Sequence, residues 1–265
     1  MARFIGRRLL YLLPVLLAVT LLTFLFASLL PGDLALTILG DQATPEKVEV
    51  LRKQMGLDLP IWERYLHWLW GALHGDLGRS FRTGETVITA VVERLPVSLE
   101  LMVMAEVLGL VIAIPLAIVC AVKSGGAFDR WVPGVAFGKL SLPPFMVAIL
   151  LIYLFAVELR WLPATGWVPF AEDPAANIRS FILPALTLAI AEWPVLMRVL
   201  RSDMIATLQE DFIAMAKAKG LKPWRILLVH ALKPSSLTLV TVTGINIGRL
   251  IGGTLIIETI FAEEP

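Results

Sequence analysis

Six polar side chains fall where polar side chains are expensive: Glu106, Lys139, Glu192, Asn246, Arg249 and Glu258 each sit inside a long apolar run. Charges placed in hydrocarbon face protein or water, and they mark an interior or a path for a polar passenger. Two pairings are open, Glu106 with Lys139 and Glu192 with Arg249, and direct contact with cargo is the alternative reading of the same residues. The residue types of a catalyst are sparse. His67, His74 and His230 are too scattered for a metal site, and Cys120, alone in an apolar run, supports neither a disulfide nor a thiolate site. No G-x4-G-K-S/T phosphate loop, H-E-x-x-H or C-x-x-C occurs, so the chain is not expected to hydrolyse ATP, to bind a metal or to act as an enzyme.

The elements that must position these residues are membrane spans. The 265 residues are 57% hydrophobic and 17% charged, with a mean hydropathy of +0.79, against about 45 to 50% apolar and about 25% charged for a soluble domain. The excess is concentrated in five runs long enough to cross about 30 Å of hydrocarbon: Leu9 to Leu30, Val97 to Val122, Val132 to Val157, Phe181 to Val199, and Leu237 to Phe261. The first follows Arg3, Arg7 and Arg8, but it exceeds a leader's apolar core and no A-x-A follows, so it reads as a span.

Lys and Arg set the orientation. The N-terminal arginines place the N-terminus in the cytoplasm. Alternation then puts two basic loops there as well, one with Lys123 and Arg130, the other running from Arg198 to Lys233. The acid-richer segments fall outside. The expected organisation is residues 1–30 as cytoplasmic N-terminus and first span, 31–96 as an extracytoplasmic segment, and 97–265 as the membrane core, with a cytoplasmic loop at about 203–236. A net charge of +1 points to no nucleic-acid partner. In the outer segment Pro45-Glu46 opens a helical pattern through Val48, Leu51 and Met55 that stops at Gly56. Trp62, Tyr65, Leu66, Leu69 and Leu73 recur at helical spacing, with Trp68 and Trp70 either packed within a small helical subdomain or resting at the headgroups.

The loop from Ile205 to Ser236 predicts two short helices joined by a glycine. Thr207-Leu208-Gln209-Glu210 fits a capping box, with Thr207 accepting from the Glu210 backbone N–H. Leu208, Phe212 and Met215 or Ala216 form an apolar stripe. Lys217 and Lys219 suit the negative end of a helix, Gly220 suits a left-handed cap, and Pro223 opens the next helix.

Asp211-Phe212-Ile213, Ala216 to Leu221 and His230-Ala231-Leu232 resemble the EAA loop of ABC importer permeases, in the form used by the dipeptide, oligopeptide and nickel branch. Ala214, Ala216 and Gly220 match the EAA-x3-G frame, with Ala214 in place of its glutamate and Met215 in place of its second alanine. A second block resembles the same branch: Leu51 to Asp58 with Pro60 and Tyr65, Gly75-Asp76-Leu77-Gly78 with Ser80, and Arg94-Leu95-Pro96 with Ser98-Leu99-Glu100-Leu101. A third, Gly248 to Thr254 with Ile257-Glu258 and Ile260-Phe261, is similar to that branch's fifth span.

The resemblance, to binding-protein-dependent inner-membrane components, implies an all-α polytopic fold of the type I ABC importer permease kind. It implies a coupling helix seated on an ATPase subunit through Glu210, Asp211, Phe212, Ala214, Met215, Ala216, Gly220 and Leu221, small residues allowing close approach. It implies four kinds of partner: a second permease, two ATPase subunits that hold ATP and magnesium, an extracytoplasmic solute-binding protein, and the bilayer of a bacterial or archaeal cytoplasmic membrane. Importers of dipeptides, oligopeptides, glutathione and nickel share the pattern. A P-G-x-G segment and a sixth span are expected beyond Ala262 to Pro265, so five spans leave the C-terminus outside.

In the fifth run Gly244, Gly248 and Gly252 recur every four residues, predicting either close packing within the chain or a wall of the path. Glu192, Asn246, Gly248, Arg249 and Glu258 are the candidate pore or interior residues. Two other classes compete with an ATP-driven permease: a membrane enzyme using Glu106, Glu192 or Glu258, and an ion-coupled secondary transporter.

Overall fold

The structure is a computed structural model, and it describes residues 2–29, 34–40, 43–80 and 83–261. Leu30 and Pro31, where the first expected span ends and the outer segment begins, and the tail Ala262 to Pro265 lie outside the described residues. So do the side chains of Arg3, Ile251 and Thr254. The described chain is all-α, its only strand-like feature among those residues being a single antiparallel bridge between Arg79 and Thr86. It divides into two units, Met1–Val92 and Glu93–Pro265.

The first unit holds α1 (Ala2–Leu29), α2 (Leu34–Leu39), α3 (Pro45–Gln54) and α4 (Ile61–Leu73). Thr44 caps α3 by accepting from the Lys47 backbone N–H at 3.4 Å, and Pro45 takes the first position, where its missing N–H costs nothing. Gly56, at φ +63°, ends the pattern. In α4 only Tyr65 is buried. Its hydroxyl pairs with Thr20 Oγ1 of α1 at 3.0 Å, and its ring meets Phe24 edge-on at 5.6 Å. The two tryptophans left open above separate here: Trp68 packs beside Tyr65 at 6.2 Å, whereas Trp70 is 68% exposed.

The second unit holds α5 (Val87–Val122, entered at Glu93), α6 (Ala127–Leu140), α7 (Pro144–Leu151), α8 (Pro174–Leu208), α9 (Asp211–Ala218), α10 (Pro223–Arg225) and α11 (Leu232–Phe261). π-Helical segments extend α7 over Ile152–Glu158 and join α10 to α11 over Ile226–Ala231. Four helices are long and apolar enough to cross a membrane among the described residues, and five if α6 and α7 count as one span.

The third run, Val132 to Val157, is broken in two at its proline pair. Its two halves meet at 98°, because Pro143 and Pro144 supply no backbone N–H and Pro144 restarts the helix. α8 begins with an Asp173 side chain that accepts from the Ala175 and Ala176 backbone N–H groups at 2.9 and 3.0 Å, with Pro174 behind it.

Two apolar clusters organise this unit. One gathers Ala113 and Ala117 of α5, Leu196, Leu200 and Met204 of α8, Ile213 and Ala216 of α9, and Leu239 of α11. The other gathers Leu101 of α5, Ala148 of α7, Phe181 and Leu188 of α8, and Ile257 and Phe261 of α11. α8 and α5 serve both clusters. Gly109 lets them approach closely: a Cβ there would lie 3.5 Å from Leu196 Cδ1 and 3.9 Å from Ala189 Cα.

Candidate functional site

α9 is a short helix with two different apolar faces. Ile213 and Ala216, one turn apart, are buried in the core that also holds Met204 of α8 and Ile226 and Ala231 of the π-helical segment. Phe212 and Met215, one residue earlier in each turn, are 43% and 54% exposed. Trp224 of α10 is 59% exposed. The stripe expected through Leu208, Phe212 and Met215 is thus corrected. The chain turns between Leu208, which ends α8, and Asp211, which starts α9, so Leu208 and Phe212 are not on one helix.

The capping box is corrected for the same reason. Thr207 lies in the last turn of α8, and the Glu210 N–H donates to the Thr207 carbonyl at 3.1 Å rather than to its hydroxyl. Glu210 is itself the N-cap, with no side-chain capping bond. The Thr207 hydroxyl is instead paired with Ser235 Oγ of α11 at 2.9 Å, and Ser235 donates back to the Ala231 carbonyl at 2.8 Å. These bonds close the base of the loop.

Asp211 at the first turn of α9 and Lys217 at the last match the helix dipole. The end is a Schellman motif: the Gly220 N–H donates to Lys217 O at 2.9 Å and the Leu221 N–H to Ala216 O at 3.2 Å. Gly220 takes φ +74°, as its residue type suggested, and Pro223 opens α10. Of the small residues in the EAA-like frame, Ala214 is exposed, whereas Ala216 is buried against this chain's own core, so Ala216 is not free for a partner. Leu221 packs on the same core, and Glu210 and Asp211 are exposed.

One feature of this region was missed from sequence. Arg201, two turns before the end of α8, forms a two-pronged ion pair with Asp129 in the first turn of α6, Nε meeting Oδ1 and Nη2 meeting Oδ2 at 2.6 Å. The Gly125 N–H also donates to Asp129 at 2.9 Å. Arg198, one turn earlier, lies 4.4 Å over the Phe137 ring of α6. The signal available was two opposite charges just beyond span ends on the same side.

The interior polar residues fall into two groups. Glu106 of α5, Asn246 and Glu258 of α11 are buried at 5%, 2% and 6% exposure, each with a polar atom that makes no hydrogen bond among the described residues. The pairing of Glu106 with Lys139 does not form. The polar neighbours of Glu106 are Thr243 and Glu192, while Lys139 faces the charge of Glu192. Glu192 and Arg249 line one cavity of about 260 Å³. The two readings left open for the glycine stripe separate: nothing lies within 4 Å of a Cβ built at Gly244, Gly248 or Gly252, so close packing within the chain is not seen among the described residues. No group of three acid, His or Cys side chains gathers among the described residues.

Residues 113–265 match the family described as binding-protein-dependent transport system inner membrane component, and residues 1–102 match that system's membrane component N-terminal family. A putative peptide transport system permease protein of Brucella abortus (strain 2308) is 40% identical over 262 residues, covering 99% of this chain and 83% of that one. The dipeptide transport system permease protein of Escherichia coli (strain K12) is 36% identical over 286 residues, covering 99% and 84%. A probable peptide ABC transporter permease protein of Sinorhizobium fredii is 34% identical, covering 98% and 83%.

Proposed function

We propose that this chain, which belongs to the family of binding-protein-dependent transport system inner membrane components, imports small peptides as one of two permease subunits around a shared pore. It is a multi-pass inner-membrane permease subunit, and such subunits work with ATPase and binding-protein partners. Peptide cargo is carried over from the relatives' names. With Arg3, Arg7 and Arg8 in the cytoplasm, α9 is also cytoplasmic and the segment from α2 to α4 is outside.

The observation that carries the mechanical part is the two-faced α9. Ile213 and Ala216 anchor it in the apolar core shared by Met204 of α8 and Ile226 and Ala231 of the π-helical segment, and Phe212 and Met215 stand exposed on its other face. Exposed apolar side chains on a braced helix suit an ATPase subunit's groove. ATP and magnesium are held there, not on this chain. Closure of two ATPase subunits then moves α9, and α8 moves with it. ATP need only bind one of the two permease states more tightly than the other.

The test is copurification from native membranes in mild detergent, with mass spectrometry of the partners. Recovery of ATPase subunits, a second permease and a solute-binding protein supports the reading. A stable complex without an ATPase overturns it.

A further inference from the structure

We propose that Glu192 and Arg249 form a zwitterion-binding site in the permease, Glu192 taking the free α-ammonium of a peptide and Arg249 its free carboxylate. This deepens the peptide reading above and rests on it. The two residues come from different helices, α8 and α11, onto one cavity of about 260 Å³ whose other walls include Pro144, Phe145, Leu188 and Ile257. Leu188 and Glu192 are one turn apart and share a face of α8.

Two opposite charges carried into spans for structural reasons alone are expected to close on each other. Here they do not: among the described residues neither Glu192 nor Arg249 makes an ion pair within 4.0 Å. Glu192 also feels the charges of Lys139 and of the buried Glu106 carboxyl, so its surroundings are not wholly apolar. An acid and a base held apart over an open cavity match a ligand that carries both charges on one small body. A peptide with free termini does so. A sugar carries neither charge, and a metal cation only one. The apolar walls accept side chains without hydrogen-bonding them, which suits cargo of varied sequence.

The experiment uses the complete importer in proteoliposomes, with labelled alanyl-phenylalanine and a dipeptide bearing a benzophenone as probes. The wild type is expected to take up both, and illumination during turnover to label peptides containing Phe145 or Ile257. In Glu192→Gln and Arg249→Gln, uptake and labelling are expected to fall about tenfold or more, the loss of a charged hydrogen bond, while copurification with the ATPase subunits shows the variants assembled. Labelling confined to other parts of the chain overturns the site whatever the variants do. So does uptake by both variants within about twofold of wild type, a margin well inside the loss of one such bond. A wild-type complex that takes up no peptide overturns the peptide reading and the site with it, whereas uptake without cavity labelling overturns the site alone.

Discussion

Arg201 grips Asp129 with two nitrogens on two oxygens, joining the end of α8 to the start of α6 across 72 residues of sequence. The Asp129 side chain is 5% exposed and that of Arg201 26%. α9 follows α8 directly, so a displacement of α9 reaches α6 through this pair as well as through the apolar core. Removing Asp129 leaves the partly buried Arg201 guanidinium without its counter-charge. Asp129→Ala is expected to destabilise the protein by about 3 kcal/mol, and the double variant Asp129→Leu with Arg201→Met by much less. Unfolding in detergent, followed by circular dichroism, reads both. Equal losses in the single and double variants would show that the pair is not the cause.

Gly220 sits at φ +74° with open space around its missing Cβ. Conformation, not crowding, makes glycine the fitting residue there. Gly220→Ala is expected to cost about 1 kcal/mol, from the left-handed backbone alone. Gly220→Trp is expected to insert normally yet uncouple transport, because the exit of α9 shifts. Normal transport by Gly220→Trp at normal expression contradicts this.

The two faces of α9 are expected to separate by mutation. Ile213→Ala opens a cavity in the core and is expected to lower stability by about 2 to 4 kcal/mol. Phe212→Ala is expected to leave unfolding unchanged and to reduce the yield of ATPase subunits in pull-downs. If Phe212→Ala unfolds the protein and Ile213→Ala releases the ATPase, the faces have been assigned the wrong way round.

Two glycines of similar appearance in sequence are expected to behave oppositely. Gly109 faces α8 at van der Waals distance, so Gly109→Leu is expected to overpack that contact at about 1 to 3 kcal/mol. Gly248 faces nothing in this chain among the described residues. Gly248→Leu is therefore expected to leave the isolated chain's unfolding unchanged while impairing assembly or transport. Thermal unfolding of the isolated chain, compared with uptake by the assembled complex, distinguishes the two.

The spans were legible because length and apolarity are local properties, and Pro143-Pro144 marked the break between α6 and α7. Gly220 and Pro223 were legible for the same local reason. Thr207 was misread because T-x-x-E fits a capping box wherever it occurs, and only the partner at Ser235, 28 residues away, shows which helix end it serves. The Asp129–Arg201 pair and the neighbours of Glu106 depend on which helices adjoin, which one sequence does not encode locally. The π-helical segments Ile152–Glu158 and Ile226–Ala231 carry no compositional mark. The outward turn of Gly244, Gly248 and Gly252 is likewise a fact of helix rotation, set by packing elsewhere on α11.

ATP-dependent uptake tests the central claim most directly. Proteoliposomes holding the complete complex, supplied with binding protein and labelled dipeptide outside, are expected to accumulate dipeptide only when ATP and magnesium reach the ATPase side. Accumulation driven by a proton or sodium gradient in the absence of ATP would contradict the account.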